Sequence, residues 1–282
     1  MWLLRWLVVT MSVVFLTTLG INAFDNMDNP SQSLIGSAIV GIMGSAGKCP
    51  TGMVFVGSSD GGFCIDAYEA SAGDDCQHAN PNSKQQTDEN LTLSSCEPVS
   101  VPDSYPWRNI SRQQAELACA RVGKRLPGNA EWYRASLGTP DAEGWGKEDC
   151  NLDDISTSDP DKTGVRERCV SPAGAYDMIG NVWEWMQETV TNGAYGNVQL
   201  PAEGYVTSIN DEGVPVATDF NAPDAAFFSD YFWIDPSETR GMFRGGYWKS
   251  ETDGGQYSVN VTVPPSFVGN AVGFRCVADA KS

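Results

Sequence analysis

Eight cysteines and one histidine are the side chains of this 282-residue chain best suited to hold a metal or attack a bond. The histidine, His78, stands alone in a polar run. A single imidazole excludes the HExxH zinc site and the two-His-one-carboxylate iron triad, and no GxSxG elbow accompanies it for hydrolase chemistry. It reads as a surface residue. The cysteines stand at 49, 64, 76, 96, 119, 150, 169 and 276, with no CxxC pair to suggest zinc. Spacing pairs Cys49 with Cys64, Cys76 with Cys96 and Cys150 with Cys169, which leaves Cys119 and Cys276 as a long-range staple. Carboxylates are too numerous for any two to stand out as a glycosidase acid and base. There are 36 Asp and Glu against 18 Lys and Arg, a formal charge of −18. That charge argues against nucleic acid and anionic lipid headgroups as partners, because both need a basic surface.

The elements that position these residues begin after an export segment. Residues 6–21 (WLVVTMSVVFLTTLGI) carry no charge and follow Arg5, as in a signal peptide, with Ile21-Asn22-Ala23 as a cleavage site. The apolar run from Trp6 to Phe24 is also long enough for one uncleaved membrane anchor. Either way the chain is expected to be secreted or tethered at the cell surface, where disulfides persist. Three parts result: 1–24 as signal or anchor, 25–48 as a linker with a small-residue apolar stretch at 33–47, and 49–282 as the domain.

Within the domain, residues 52–68 alternate around a turn at 58–62 and predict a β-hairpin. Residues 74–102 read as a polar insertion loop. Ser111 caps a helix that Gly123 stops, and Asn129 opens a shorter one that ends before Gly138. Strand-like runs return at 182–186, 240–248, 256–263 and 272–277. The class is α+β, with two helices, short strands and long loops held by disulfides.

Five motifs follow one another through this domain. They are Gly123-Lys124-Arg125-Leu126-Pro127, Glu131-Trp132, Gly180-Asn181-Val182-Trp183-Glu184-Trp185, Arg244-Gly245-Gly246-Tyr247-Trp248 and Gly273-Phe274-Arg275-Cys276. Together they resemble the sulfatase-modifying-factor, or formylglycine-generating-enzyme-like, domain, whose fold is a variant of the C-type lectin fold. The resemblance runs from Gly52 to Asp279. It implies a pairing of the helix cysteine with that of Gly-Phe-Arg-Cys, which matches Cys119 with Cys276. It also implies calcium, held by the carboxylates of Asp177 and Glu184 and the carbonyls of Gly180 and Val182, a hard-oxygen set of the kind Ca²⁺ prefers. A second calcium site would begin at Asn151 and Leu152 and draw on 153–161. One property does not carry over. The family's oxidase holds Cu(I) with two cysteines after Arg-Gly-Gly, and those positions are Ser250 and Gly255 here. No copper is expected, and no catalytic residue is assigned.

The binding surface is expected at Tyr247, Trp248, Ser250, Glu251, Asp253, Gln256, Tyr257 and Asn260, which mix rigid aromatics with adaptable polar groups as paratopes do. The leading expectation is calcium-stabilised, non-catalytic recognition of an extracellular protein or glycan. The alternatives are a family enzyme with altered chemistry and an envelope structural protein resting on the 33–47 segment.

Overall fold

The computed structural model describes residues 48–57, 61–141, 149–152 and 159–281. The signal, anchor and linker expectations at 1–47 lie outside them. Among the described residues no helix is long and apolar enough to cross a membrane.

Residues from Cys49 onward form one compact unit. The expected hairpin is strands β1 (Met53–Val56) and β2 (Phe63–Asp66), antiparallel with Met53 opposite Asp66. The last strand, β14 (Val277–Asp279), pairs with β2 and joins the two ends of the domain. A short ladder of β3 (Ser71–Ala72) and β4 (Pro98–Val99) follows. Between them lies helix α1 (Lys84–Thr92), in the stretch expected to be loop. Ser83 caps it, but only Thr87 and Asn90 are buried on it, so no apolar period marks it in the sequence.

Helix α2 (Arg112–Arg121) has the full capping box. Gln114 N donates to Ser111 Oγ, and Ser111 N donates back to Gln114 Oε1. Gly123 ends it with φ +70°, a conformation side chains resist. Helix α3 (Asn129–Ser136) follows after Gly128.

The main sheet has nine strands: β5 (Trp183–Thr191), β6 (Ala194–Tyr195), β7 (Val198–Gln199), β8 (Gly204–Ile209), β9 (Pro215–Asp219), β10 (Tyr231–Ile234), β11 (Thr239–Arg244), β12 (Val259–Val261) and β13 (Val272–Gly273). Its order is β7-β6-β5-β11-β12-β10-β8-β9, with β13 also on β5. Strands β8, β9 and β10 were not foreseen. Register shifts break the β8–β9 ladder, and β10 is an unbroken apolar run, so neither shows clean period-2 alternation.

The sheet separates two cores. Met186, Val206, Phe232, Met242, Val259 and Val261 pack on one face with Trp132 of α3. Trp183, Trp185 and Phe243 pack on the other with Ala115, Ala118 and Cys119 of α2, Trp107 and Phe274. All four expected disulfides are present: Cys49–Cys64, Cys76–Cys96, Cys119–Cys276 and Cys150–Cys169.

Candidate functional site

Four of the five motifs meet in one buried ionic centre. Arg275, between β13 and β14, is 0% exposed, and its Nε and Nη2 donate to Glu184 Oε1 at 2.8 and 2.6 Å. Its remaining hydrogens reach the carbonyls of Asp66 and Tyr176 at 3.0 and 2.8 Å. Trp132 Nε1 donates to Glu184 Oε2 at 2.7 Å. Asp66 binds Lys124 Nζ at 2.6 Å and accepts from Cys276 N at 2.9 Å. Nearby, Arg125 grips Glu131 with two 2.6 Å bonds. The fifth motif joins through Arg244, which stacks 4.8 Å over Trp132. It donates to the carbonyls of Glu212, Gly213 and Gln256. The motifs are therefore scaffold: they join distant segments through charge-assisted bonds, buried at Arg275–Glu184 and partly exposed at Arg125–Glu131.

Two further carboxylates complete this centre. Glu69, fully buried, accepts from Asn181 Nδ2 at 2.6 Å and Val182 N at 3.1 Å. Asp177 accepts from Gly164 N at 2.6 Å. Burial first, and then the neighbouring carboxylates, hold Glu69 well above the usual carboxylate range, while burial lifts Asp177 to about 7. One guanidinium cannot neutralise three carboxylates.

That geometry changes the calcium expectation. Glu184 does not fit as a calcium ligand, because both its oxygens already accept from Arg275 and Trp132. Asp177, Gly180 and Val182 do share one turn before β5, with φ of +54° at Asp177 and +75° at Gly180. Asn151 lies against this turn, and its carbonyl accepts from Asn181 N at 2.8 Å. Leu152 offers its carbonyl to Glu251 N at 2.8 Å. Residues 153–158, which the second site would need, lie outside the described residues. Among the described residues no three acidic, His or Cys side chains are grouped to hold a metal ion.

The expected binding residues divide. Tyr247, Glu251, Asp253 and Asn260 keep exposure. Trp248, Ser250 and Gln256 are buried and cannot touch a ligand directly, a correction to their assignment. Ser250 Oγ accepts from Tyr247 N at 2.9 Å and so shapes the turn. Tyr257 turns to the opposite face of the sheet, where it packs edge-on against Phe227 at 5.2 Å.

A carboxylate pair that the motifs do not mark underlies this segment. Asp141 Oδ2 accepts from Gln256 N at 2.6 Å, and Asp230 Oδ2 accepts from Tyr257 N at 2.5 Å. Their Oδ1 atoms converge on Gly255: a Cβ there would overlap Asp230 Oδ1 and lie 2.6 Å from Asp141 Oδ1. Asp230 is 0% exposed and its Oδ1 has no donor among the described residues, a lack that a proton held between the two acids would fill. Burial lifts Asp141 to about 8, and burial plus the Asp141 charge lifts Asp230 well above its ordinary range. The only sequence signals were an isolated Asp after Pro140 and another before Tyr231, and neither suggests a pair.

Two measurable results follow. Gly255→Cys, which restores a family thiol position, destabilises the protein by about 1–3 kcal/mol in urea unfolding, because the new side chain overpacks a buried carboxylate. The folded pair also holds a proton that the unfolded chain releases near pH 4, so the folded state binds more protons between roughly pH 4 and 8. The pair's contribution to stability therefore falls as pH rises through that window. Asp230→Asn, whose amide can donate to Asp141, flattens the dependence. Equal pH slopes for the two proteins would contradict a shared proton.

Comparison with known proteins places these features in a group. A profile described as "Sulfatase-modifying factor enzyme 1-like domain" matches residues 58–280. The serine/threonine-protein kinase Pkn1 of Chlamydia trachomatis serovar L2 is 29% identical over 183 residues, covering 63% of this chain and 25% of the kinase. Hercynine oxygenase of Mycobacterium tuberculosis is 34% identical over 96 residues, covering 30% of this chain and 22% of that protein. The chain thus spans about a quarter of the length of the curated relatives it matches. Among solved structures, the Major Tropism Determinant P3c variant aligns with TM-score 0.46 and 19% identity, covering 82% of this chain and 53% of that one. Treponema denticola variable protein 1 aligns with TM-score 0.45 and 15% identity, covering 82% and 100%.

Proposed function

Because the chain belongs to the sulfatase-modifying factor enzyme 1-like domain family, we propose that it is a member without the family's thiol chemistry, exported and used to recognise an extracellular ligand. The observation that carries this reading is the state of the cysteines. All eight are in disulfides, so no thiol remains to hold Cu(I) or to exchange with a substrate cysteine. Ser250 and Gly255 support it further, one with its hydroxyl engaged by the backbone and the other with no room for a side chain. Four disulfides suit an oxidising compartment outside the cytosol. Recognition is assigned to the exposed face that carries Tyr247, Glu251, Asp253 and Asn260. Calcium is retained in this reading only at Asp177, Gly180 and Val182, where it would neutralise carboxylate charge that Arg275 leaves unbalanced.

The test is an assay of the purified protein with Cu(I), O₂ and a cysteine-containing peptide. No peptide oxidation above the protein-free rate is expected, and copper-dependent turnover would overturn the reading. In the same preparation Ca²⁺ raises Tm, and Asp177→Asn removes the rise. An unchanged Tm would eliminate calcium while leaving recognition in place.

A further inference from the structure

Among the described residues, the second face of the main sheet is covered unevenly, with Tyr205, Tyr231 and Trp233 only partly buried. Strand alternation sends Phe232, Val259 and Val261 into the first core and sends Tyr231, Trp233 and Asn260 to the opposite side. There, Trp183, Trp185 and Phe243 lie under α2, Trp107 and Phe274. The outer part of the same face continues as a connected row of partly exposed rings, in which Trp233 packs against that second core. Trp233 meets Trp183 edge-on at 5.6 Å, Tyr231 lies 5.0 Å from Trp233, and Tyr205 meets Tyr231 edge-on at 5.1 Å. Tyr205, Tyr231 and Trp233 all keep partial exposure. Phe220, just beyond β9, is 65% exposed.

Charge on this part of the fold is mainly negative, with Arg240 of β11 pairing Asp235 just after β10. From 191 to 239 there are eight Asp and Glu and no Lys or Arg. Glu203 precedes Gly204, which pairs with Phe232, so the register continues Glu203 toward Trp233. Asp219 pairs directly with Tyr205. Glu203 and Asp219 are exposed. After burial, the charges of Glu203 and Asp253 are what raise the Tyr231 hydroxyl above its ordinary value, so carboxylates reach this ring.

We propose that the open aromatic row Tyr205–Tyr231–Trp233, with Glu203 and Asp219 at its edge, docks a basic polypeptide segment. The inference rests on the recognition reading above and names its partner class. Ring faces attract guanidinium and ammonium groups placed within about 6 Å, and carboxylates beside them select cations over neutral or anionic ligands. Aromatics alone would equally suit a sugar. The exposed carboxylates of Glu203 and Asp219 beside them favour the cation.

The probe is acetyl-hexaarginine amide, measured by calorimetry against the whole protein at physiological ionic strength. Its neutral isostere, the hexacitrulline peptide, serves as the control. Hexaarginine binding should exceed hexacitrulline binding by at least about tenfold. Trp233→Ala and Tyr231→Ala should each weaken it about tenfold, whereas Trp233→Phe, which keeps a ring and the packing against Trp183, should retain most of it. Glu203→Gln with Asp219→Asn should weaken binding and reduce its salt dependence, while Asp74→Asn with Asp75→Asn, exposed acids near β3, should leave it unchanged. Equal binding of the citrulline peptide, or full arginine binding in the aromatic variants, would overturn the proposal. A glycan bound only with Trp233 intact would overturn the basic partner while keeping recognition. Loss of the recognition reading itself comes from the copper assay, which these variants do not touch.

Discussion

Arg275→Met is expected to lower stability by about 3–5 kcal/mol, the range for removing one partner of a buried ion pair. The side chain is fully buried and makes bonds to Glu184, Asp66 O and Tyr176 O. Without it, Glu184, Glu69 and Asp177 remain in the interior with no guanidinium among them. A domain stability of roughly 5–15 kcal/mol would leave the variant marginal. The loss should depend on pH in a definite direction. With the guanidinium gone, the buried carboxyls of Glu69 and Asp177, which its charge partly holds down, are pushed higher still, so the variant binds more protons folded than unfolded. Its deficit is then smallest near pH 5 and grows toward pH 8. A deficit independent of pH would mean that lost packing, not unbalanced charge, dominates. The companion change Glu184→Leu in the Arg275→Met background removes one uncompensated carboxylate and should recover part of the loss. Urea unfolding of the three proteins at several pH values measures both effects.

The same centre marks how far the sequence could be read. Helix α2 was legible to its cap because Ser111 and Gln114 are a local signal. The disulfide pairing was legible from spacing, since short loops close easily and the last two cysteines had only each other. The start of β5 was legible as a strand-like run at 182–186 because that pattern too is local. Glu184 was not. Its role depends on Arg275, a separation of 91 residues, and on Trp132, a separation of 52, and no periodicity reports such distant partners. The resemblance implied a calcium ion at Glu184, and the cation it takes is an arginine.

The Asp141–Asp230 pair was hidden for the same reason. Asp141 follows Thr139-Pro140 and Asp230 stands among aromatics, and only the fold brings them together under Gly255. Strands β8 to β10 were missed for a different cause. The inner positions of β8 and β10 feed the core through Val206 and Phe232 while their outer positions Tyr205, Tyr231 and Trp233 are aromatic instead of polar, and register shifts break the pattern along β9. The usual apolar-polar contrast therefore fails there. A partly exposed aromatic face on a sheet is the kind of surface that binding sites use, and the same composition hides its strands in the sequence.

Removing the Cys119–Cys276 bridge by paired alanine substitution is expected to lower stability by roughly 5 kcal/mol, by the chain-entropy relation for a closed loop of its length. The bridge spans 157 residues, whereas Cys49–Cys64, Cys76–Cys96 and Cys150–Cys169 span 15, 20 and 19. Each short loop should be worth only about 3 kcal/mol on the same relation. The long bridge has a second effect that the loop relation omits. Cys276 follows Arg275 directly, and its backbone N–H donates to Asp66, so the disulfide anchors α2 to the strand end that carries the buried guanidinium. Loosening that end weakens the hydrogen bonds of Arg275 as well as releasing chain entropy. Combining Arg275→Met with loss of the bridge should therefore destabilise by less than the sum of the two, because both act on the same centre. Urea midpoints for the four single-bridge variants give the ranking, and the combined variant gives the coupling. If Cys76–Cys96 proved the more stabilising bridge, chain entropy would not govern these disulfides. If the two losses simply added, the bridge and the ionic centre would be independent supports of the fold.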